Sequence, residues 1–239
     1  MRKDHRPHRI KRAWLRYQAF YGRRFVRPHL DHLGRGPTFM RPWYVEIFGP
    51  RIRIGDNATL IATADARVRL SVWERAPDDG AIDIGDAALI CPGVRIHSTA
   101  RVAVGDDCML ASGAYITDAD WHDVYDRISM GSAAPVTLAD NVWLGDGAVV
   151  CKGVAIGENT VVGAGAVVTR DLPANVVAAG NPAQVVRRLD PDGPFVRRSA
   201  WFADPGGLRR DIDEWDRAMM AGNSLGGWLR YLLAPRRGD

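Results

Sequence analysis

Apolar residues recur at every sixth position through the second half of the chain. The series consists of aliphatic or small residues at Leu138, Leu144, Val150, Ile156, Val162, Val168, Ala174 and Gly180. A period of six matches neither the 3.6-residue turn of an amphipathic helix nor the two-residue alternation of a strand. It is typical of a solenoid in which each group of six residues forms one short strand and one corner. We therefore predict a parallel β-helix here, with the aliphatic side chains pointing inward.

Two further features of this segment support the prediction. Small or β-branched residues follow each aliphatic residue by four positions, where a larger side chain would collide; they are Val142, Ala148, Val154, Thr160 and Ala166. Glycine, which tolerates corner backbone angles that a Cβ atom forbids, follows the aliphatic position at Gly145, Gly157 and Gly163. Pro173 and Pro182 are expected to end the repeat, because proline cannot donate to a strand ladder.

The same period extends toward the N-terminus with two interruptions. It begins at Ile54, loses its phase between residues 66 and 83, and resumes at Ile84. It stops again over residues 117–135, a polar and aromatic segment, and an interruption of this length in a regular fold favours a functional loop. The predicted repeat body is therefore 51–189, with a catalytic loop at 117–135.

Both ends of the chain are predicted to be helical. Residues 4–27 carry aromatic and aliphatic residues at helical spacing with arginines between them, and the Pro- and Gly-rich residues 28–50 are read as a connector. After a linker at 190–194, residues 207–220 and 225–233 predict two more helices. The fold class is thus an all-β solenoid with helical extensions, 1–50 at the N-terminus and 190–239 at the C-terminus.

The positive charge is concentrated at the N-terminus. Residues 1–53 contain 14 Lys and Arg against three acidic residues, whereas the whole chain has a net charge of only +4. The basic helix either packs over the end of the solenoid or rests on an anionic membrane through residues 1–30. No nucleic-acid-binding motif accompanies the charge, so we expect no nucleic acid partner.

Composition also bears on the compartment. No apolar run reaches the ~18 residues that span a bilayer, and no apolar signal core follows the basic start. Cys91, Cys108 and Cys151 lack metal-ligand spacing, which favours a reducing compartment without disulfides. Cys108 takes the small-residue position of its hexad and is expected to be buried. We predict a cytoplasmic protein, peripheral to the inner face of a membrane if the basic helix binds lipid.

Three strings in the repeat region resemble the hexapeptide-repeat acyltransferases. They are DNVWLG at 140–145, GAGAVVTRD at 163–171 and AGNPA at 179–183. In length and spacing they are most similar to the sugar O-acetyltransferase branch, which includes galactoside, maltose and surface-glycan acetyltransferases. The resemblance covers about residues 51–189. It implies a left-handed β-helix, a homotrimer and acetyl-CoA as acyl donor, with no metal.

The candidate catalytic residue is His122, which lies inside the interrupting loop. Transfer of an acyl group from a thioester to a hydroxyl needs a base to remove the hydroxyl proton, and imidazole suits that role at neutral pH. The resemblance places the catalytic His of the family shortly before the Asn-Val-Trp string, as here. A carboxylate is expected to orient the imidazole, and Asp118 and Asp120 are the two candidates.

The resemblance also implies an acyl-CoA groove between neighbouring subunits. Trp143 would line the pantetheine path with Asp146 and Ala164 beside it. The nucleotide end would be bound by Thr169, Arg170 and Arg187. The sequence departs from the sugar acetyltransferases at Gln184, where they often have arginine.

These observations favour an acyl-CoA-dependent O-acetyltransferase that acts on a sugar, in surface-polysaccharide biosynthesis. The alternative is a non-catalytic trimeric scaffold held at a membrane or in a glycan-assembly complex. A zinc hydratase on the same fold needs three His ligands, whereas the repeats contain only His97 and His122. His97 is expected to be a surface residue. The sequence leaves open whether the acceptor atom is oxygen or nitrogen.

Overall fold

The computed structural model of the protein describes residues 3–237. The described chain forms two compact units. Residues 21–200 make up the repeat unit, and residues 3–20 together with 201–237 make up a helical unit. Within the described residues, no helix is both long enough and apolar enough to cross a membrane.

The repeat unit consists of three sheets of short strands. Sheet A contains β1 (His32–Leu33), β4 (Ile52–Ile54), β7 (Ile82–Ile84), β10 (Val102–Val104), β13 (Val136–Leu138) and β16 (Ala155–Ile156). Sheet B contains β2 (Thr38–Met40), β5 (Thr59–Ile61), β8 (Leu89–Ile90), β11 (Met109–Leu110), β14 (Trp143–Leu144), β17 (Val161–Val162), β19 (Val176–Ala179) and β20 (Gln184–Arg188). Sheet C contains β3 (Val45–Phe48), β6 (Val68–Val72), β9 (Arg95–Ser98), β12 (Tyr115–Thr117), β15 (Val149–Val150) and β18 (Val167–Val168).

The chain visits the sheets in the order A, B, C and then returns to A. Up to β18, each strand pairs with the third strand before or after it along the chain, and those pairs are parallel. This is the strand order that a parallel β-helix requires, with corners that we name AB, BC and CA after the sheets they join. β20 differs, because it turns back and pairs antiparallel with β19.

Burial follows the six-residue period as far as Val168. The aliphatic series from Leu138 to Val168 is at most 2% exposed, and so are all five small residues four positions later. Cys108 is fully buried, as predicted, and burial raises the pKa of its thiol to about 12. The last two members of the series were predicted wrongly, since Ala174 and Gly180 are exposed. The final coil instead buries Leu172, Val176 and Ala178 and so leaves the six-residue phase.

The first coil lies where the sequence predicts a connector. Residues 28–50 contain β1, β2 and β3, which pair in parallel with β4, β5 and β6. Phe39, which pairs with Leu60, is 6% exposed and belongs to the core. The repeat therefore begins one coil before residue 51. Its Pro and Gly content and its irregular spacing hid this coil from the periodicity.

Corner AB is stabilised by a ladder of aspartates that joins successive coils. Asp86 accepts a hydrogen bond from the Asp56 backbone N–H at 2.7 Å, and Asp106 accepts one from Asp86 at 2.7 Å. Asp140 continues the ladder by accepting from the Asp106 N–H at 3.0 Å. The residue after each aspartate has a left-handed backbone, which asparagine tolerates better than most residues; these positions are Asn57, Ala87, Asp107 and Asn141.

Ala87 is the exception in this ladder, because alanine at a φ of 54° is strained. We expect Ala87→Gly to raise the free energy of unfolding of the repeat unit by about 0.5–1 kcal/mol, since relief of strain exceeds the entropy cost of glycine. Urea denaturation followed by circular dichroism measures the change. Ala88→Gly is the matched control, because Ala88 is buried but lies outside the left-handed region. The control should lose about 1 kcal/mol, and an equal loss in Ala87→Gly would refute the strain argument.

The helical unit joins the two ends of the chain. α1 (His8–Tyr21) begins in this unit and continues into a π-helical turn, Gly22–Val26, and a 3-10 turn, Arg27–His29. α2 (Pro205–Met219) starts after Asp204, whose carboxylate accepts from the Gly206 and Gly207 N–H groups. α3 (Leu225–Leu233) starts after Ser224. The helices predicted at both ends are thus present.

Polar contacts connect α1 to α2. His8 Nε2 lies 3.0 Å from Asp213 Oδ1, and Lys11 Nζ lies 2.5 Å from Asp216 Oδ1. The Asn223 side-chain amide donates to the backbone oxygens of Asp4 and Arg6. The two extensions, which the sequence treats as separate, therefore fold against each other.

Candidate active site

The loop that carries His122 leaves sheet C after Thr117 and reaches sheet A at Val136, so it extends from corner CA. Its two arms run side by side. Ala119 and Ala133 form an antiparallel bridge, and the backbone N–H of Asp120 donates to Ser132 O at 2.9 Å. The interruption in the six-residue period therefore corresponds to a coil in which one corner is replaced by a loop with two paired arms.

Asp118 fixes the start of the loop to the previous coil. Its carboxylate is fully buried and accepts from Ser98 Oγ at 2.7 Å, from the Thr99 N–H at 2.8 Å and from the Ala100 N–H at 2.9 Å. Both oxygens are therefore engaged with residues at the end of β9. This carboxylate stabilises the corner from which the His122 loop emerges.

Asp120 connects the loop to the coil on its other side. Its Oδ2 forms an ion pair with Lys152, which lies at corner CA one coil further along, and it lies 3.5 Å from Ser132 Oγ. The loop is also tightly packed at Gly131, where a Cβ atom would lie 2.6 Å from His122 O. These contacts restrict the backbone around His122 from both sides.

The His122 side chain itself is exposed. Within the described residues, no hydrogen bond or ion pair involves its imidazole, so Asp118 and Asp120 remain predictions as orienting partners. An exposed imidazole on a restrained backbone is accessible to a substrate or to a neighbouring copy of the chain.

A cluster beside the loop was missed by sequence reasoning. His97 on β9 and Tyr115 on β12 are edge-to-face with ring centres 5.4 Å apart, and Trp121 of the loop lies 6.0 Å from His97 in the same geometry. The Arg95 guanidinium stacks 4.5 Å from the centre of the Tyr115 ring. His97 is therefore half-buried rather than a plain surface residue. Burial, reinforced by the charges of Arg95 and Arg69, lowers the pKa of His97.

Part of the predicted acyl-CoA groove lies on the outer face of sheet B. Trp143, Val161, Val177 and Arg187 are successive register partners, which places Trp143 and Arg187 about 14 Å apart. The Trp143 side chain is 45% exposed on this face. A single flat face thus presents an indole at one level and a guanidinium three strands away.

Asp146 and Ala164 lie next to this face, at corner BC. The Asp146 carbonyl accepts from the Gly165 N–H at 2.7 Å, so the two corners stack directly. A Cβ atom built on Gly147 or Gly165 would meet nothing within 4 Å. The corner is therefore open on its outer side, where an elongated ligand has room to lie against the backbone.

Thr169 and Arg170 lie elsewhere, at corner CA after β18. In sheet C, Ile116 pairs with Val150 and Val150 with Val168, so Thr169 lies about 10 Å along the axis from the base of the loop. Both residues are exposed. They share a corner with His122 rather than with Trp143.

The predicted site residues of one chain therefore form two separate groups on different sides of the three-sheet repeat unit. The donor-side group is Trp143, Asp146, Ala164 and Arg187, on sheet B and corner BC. The loop-side group is His122, Asp120, Thr169 and Arg170, at corner CA. Three cavities of the described repeat unit lie among residues 21–50, and none of the three is lined by either group.

Parallel coils with a six-residue period make the repeat unit similar to the hexapeptide-repeat transferases. The profile described as bacterial transferase hexapeptide (six repeats) matches residues 135–170, and that of the hexapeptide repeat of succinyl-transferase matches residues 98–118. Both matches fall within the repeat region, which therefore contains hexapeptide repeats of the transferase type, as the sequence predicts.

Among curated proteins, the galactoside O-acetyltransferase of Escherichia coli is 37% identical over 113 residues, which cover 47% of each chain. A Saccharomyces cerevisiae protein with a provisional acetyltransferase name is 44% identical over 110 residues, covering 45% of this chain and 56% of the yeast protein. The chain thus spans about half the length of these relatives.

Among solved structures, the fold is similar to that of an N-acyltransferase from Bacillus cereus, determined as a mutant in complex with dTDP and coenzyme A. The TM-score is 0.50 at 15% identity, with 79% of this chain and 96% of that chain covered. At this identity the likeness concerns the fold.

Proposed function

We propose that the protein is an acyl-CoA-dependent O-acetyltransferase that acetylates a sugar hydroxyl, with His122 as general base. The observation that carries the proposal is His122 itself, exposed on a loop whose first arm is anchored to the coils on either side by Asp118 and Asp120. The similarity to galactoside O-acetyltransferase over the repeat region supports the same chemistry. A cytoplasmic role in surface-polysaccharide biosynthesis is part of the proposal.

The assembly that we propose is a homotrimer of left-handed β-helices. Trp143 lies on sheet B, whereas His122 lies at the opposite corner, CA. One chain alone therefore does not form a groove that contains both residues. In a closed ring of three copies, corner CA of one copy can face corner BC of the next. Each groove would then take His122 from one subunit and Trp143 from its neighbour.

The reaction needs one proton transfer and one acyl transfer. The imidazole of His122 removes the proton of the acceptor hydroxyl while its oxygen attacks the thioester carbonyl carbon. A backbone N–H in the groove stabilises the resulting oxyanion. The carbon–sulfur bond then breaks, the CoA sulfur takes the proton from the imidazolium, and an acetyl ester and free CoA remain. In this proposal the aromatic cluster of His97, Tyr115 and Trp121 lines the acceptor side.

The donor is expected to lie along sheet B. Trp143 would contact the pantetheine, with Asp146 and Ala164 beside it at the open corner BC. Arg187 from the same face, with Thr169 and Arg170 from corner CA, would bind the nucleotide phosphates. Gln184 also lies on exposed β20 but offers no charge to a phosphate.

The competing proposal, a non-catalytic trimeric scaffold, differs in its prediction for acetyl-CoA binding. Acetyl-CoA that binds a donor site stabilises the folded protein, by about 2.7 kcal/mol at 100 times its Kd. The melting temperature should therefore rise when acetyl-CoA is added. We expect this shift in the wild type and its loss in Trp143→Ala, which should still fold because the Trp143 side chain is 45% exposed. Differential scanning fluorimetry measures both.

Val185→Ala is the matched control, since Val185 is an exposed apolar residue of sheet B outside the proposed site. It should keep the full shift. If acetyl-CoA does not change the melting temperature of the wild type, the non-catalytic scaffold is favoured.

A further inference from the structure

The helical unit exposes apolar side chains to an unusual extent. On α2, Leu208, Ile212, Trp215 and Met219 recur at helical spacing and share one face. Ile212 is 50% exposed, Trp215 61% and Met219 56%. On α3, Leu225, Leu229 and Leu232 also share a face, and each is at least 45% exposed. Contiguous exposed apolar faces of this kind mark interaction surfaces.

The faces that hold the unit together are different ones. α1 meets α2 through His8, Lys11 and their aspartate partners, and Gln18 is its buried residue. His5 stacks on Tyr231 with ring centres 4.3 Å apart. Polar groups and the His5–Tyr231 stack thus contribute to the contacts within the unit, while the apolar side chains of α2 and α3 named above stay largely exposed.

The helical unit and the repeat unit differ in the sign of their net charge. Residues 1–20 and 201–239 contain 13 Lys and Arg against seven acidic residues, a net charge of +6, whereas residues 21–200 have a net charge of −2. α1 contributes Arg9, Lys11, Arg12 and Arg16 without any acidic residue. Trp14 and Tyr17, on the same helix, are 39% and 47% exposed.

We propose that the helical unit is a docking surface for anionic lipid bilayers. Exposed Trp and Leu side chains on amphipathic helices insert at the boundary of headgroups and acyl chains, while nearby Arg side chains attract acidic headgroups. A second copy of the unit is a poorer occupant of the same faces, because two surfaces of net charge +6 repel each other. The surface includes α2 and α3 and is therefore larger than the basic N-terminal helix alone.

The test is flotation of the full-length protein with vesicles. Vesicles of phosphatidylcholine alone are compared with vesicles that contain phosphatidylglycerol, at low and at high salt. We expect binding only to the anionic vesicles and weaker binding at high salt, because screening acts on the headgroup attraction. Equal binding to both vesicle types at both salt concentrations would overturn the electrostatic part of the proposal.

Two variants separate the contributions. Trp215→Ala should weaken the partition constant by about tenfold through lost apolar burial. Arg9→Gln with Arg16→Gln should weaken it by about 5-fold per residue. Glu214→Gln is the matched control, because it changes an exposed neighbour of Trp215 without removing apolar or basic groups, and it should bind at least as well as the wild type. Helical content by circular dichroism verifies that each variant is folded.

Other outcomes contradict the proposal directly. Absence of flotation, or flotation that is unchanged in all three variants, overturns it. If Trp215→Ala instead lowers the molecular mass in sedimentation equilibrium, the face is an interface between copies and the lipid proposal fails. Acetyl transfer to a free sugar in solution should be the same in these variants, so the result is independent of the enzymatic proposal.

Discussion

His122→Ala is expected to lower kcat for the proposed acetyl transfer by about 10³-fold while the protein stays folded. General-base catalysis by one positioned imidazole contributes about 10²–10⁴ in rate. Because the side chain is exposed and forms no hydrogen bond or ion pair within the described chain, its removal should leave the melting temperature nearly unchanged. Release of CoA, measured with a thiol reagent in the presence of acetyl-CoA and a panel of sugars, reports the rate.

His32→Ala is the control for this experiment, since His32 is an exposed histidine on sheet A. It should retain the wild-type rate. Turnover of His122→Ala within a few-fold of the wild type would remove His122 from the mechanism, even if the protein is a transferase.

Mixed trimers test whether the site is shared between copies. Coexpression of His122→Ala with Trp143→Ala should restore about a quarter of the grooves, because random assembly pairs an intact His122 with a neighbour's intact Trp143 at that frequency. Either variant alone should be nearly inactive. Failure of the mixture to regain activity would contradict a groove built from two subunits.

Asp118→Ala should be the most destabilising change in the catalytic loop. It removes the acceptor of three hydrogen bonds and leaves the Thr99 and Ala100 N–H groups unsatisfied at a buried corner. Unsatisfied buried donors cost about 1–3 kcal/mol each, so we expect a loss of about 3–5 kcal/mol in the free energy of unfolding. Urea denaturation measures the loss, and kcat should fall as well because the loop loses its anchor.

Asp123→Ala is the comparison within the same loop. Asp123 also accepts two backbone hydrogen bonds, from Tyr125 and Asp126, but both lie in solvent. It should affect stability far less than Asp118→Ala. Equal stability of the two variants would show that Asp118 is not the anchor, and normal stability with lost activity would return Asp118 to a role beside His122.

The sequence predicted those parts of the structure that repeat. Six-residue spacing identified the buried positions from Leu138 to Val168, because every coil buries side chains in the same way. It failed at Ala174 and Gly180, where the last coil ends with the antiparallel β20, and at residues 28–50, whose coil has irregular corners. Contacts between coils were also out of reach, since nothing local to Asp118 indicates its bonds to Ser98, 20 residues earlier.

The candidate site shows the same division. His122 was predicted as the catalytic residue from its loop and from the string that follows it, and that role stays a prediction. The stack of Arg95 on Tyr115, and the position of His97 beside Trp121, depend on which residues of successive coils become neighbours. Residue types alone carry no signal for that register.

The meeting of the two chain ends in one small helical unit has a practical consequence for shortened versions of the protein. A chain that begins after α1 would keep Asp216, which is 5% exposed, but would lose the Lys11 ammonium that neutralises it. A chain that ends at residue 200 would keep α1 but would lose its acidic partners, Asp213 and Asp216. A shortened protein should therefore lack both ends, leaving the repeat unit alone, or it should keep both ends.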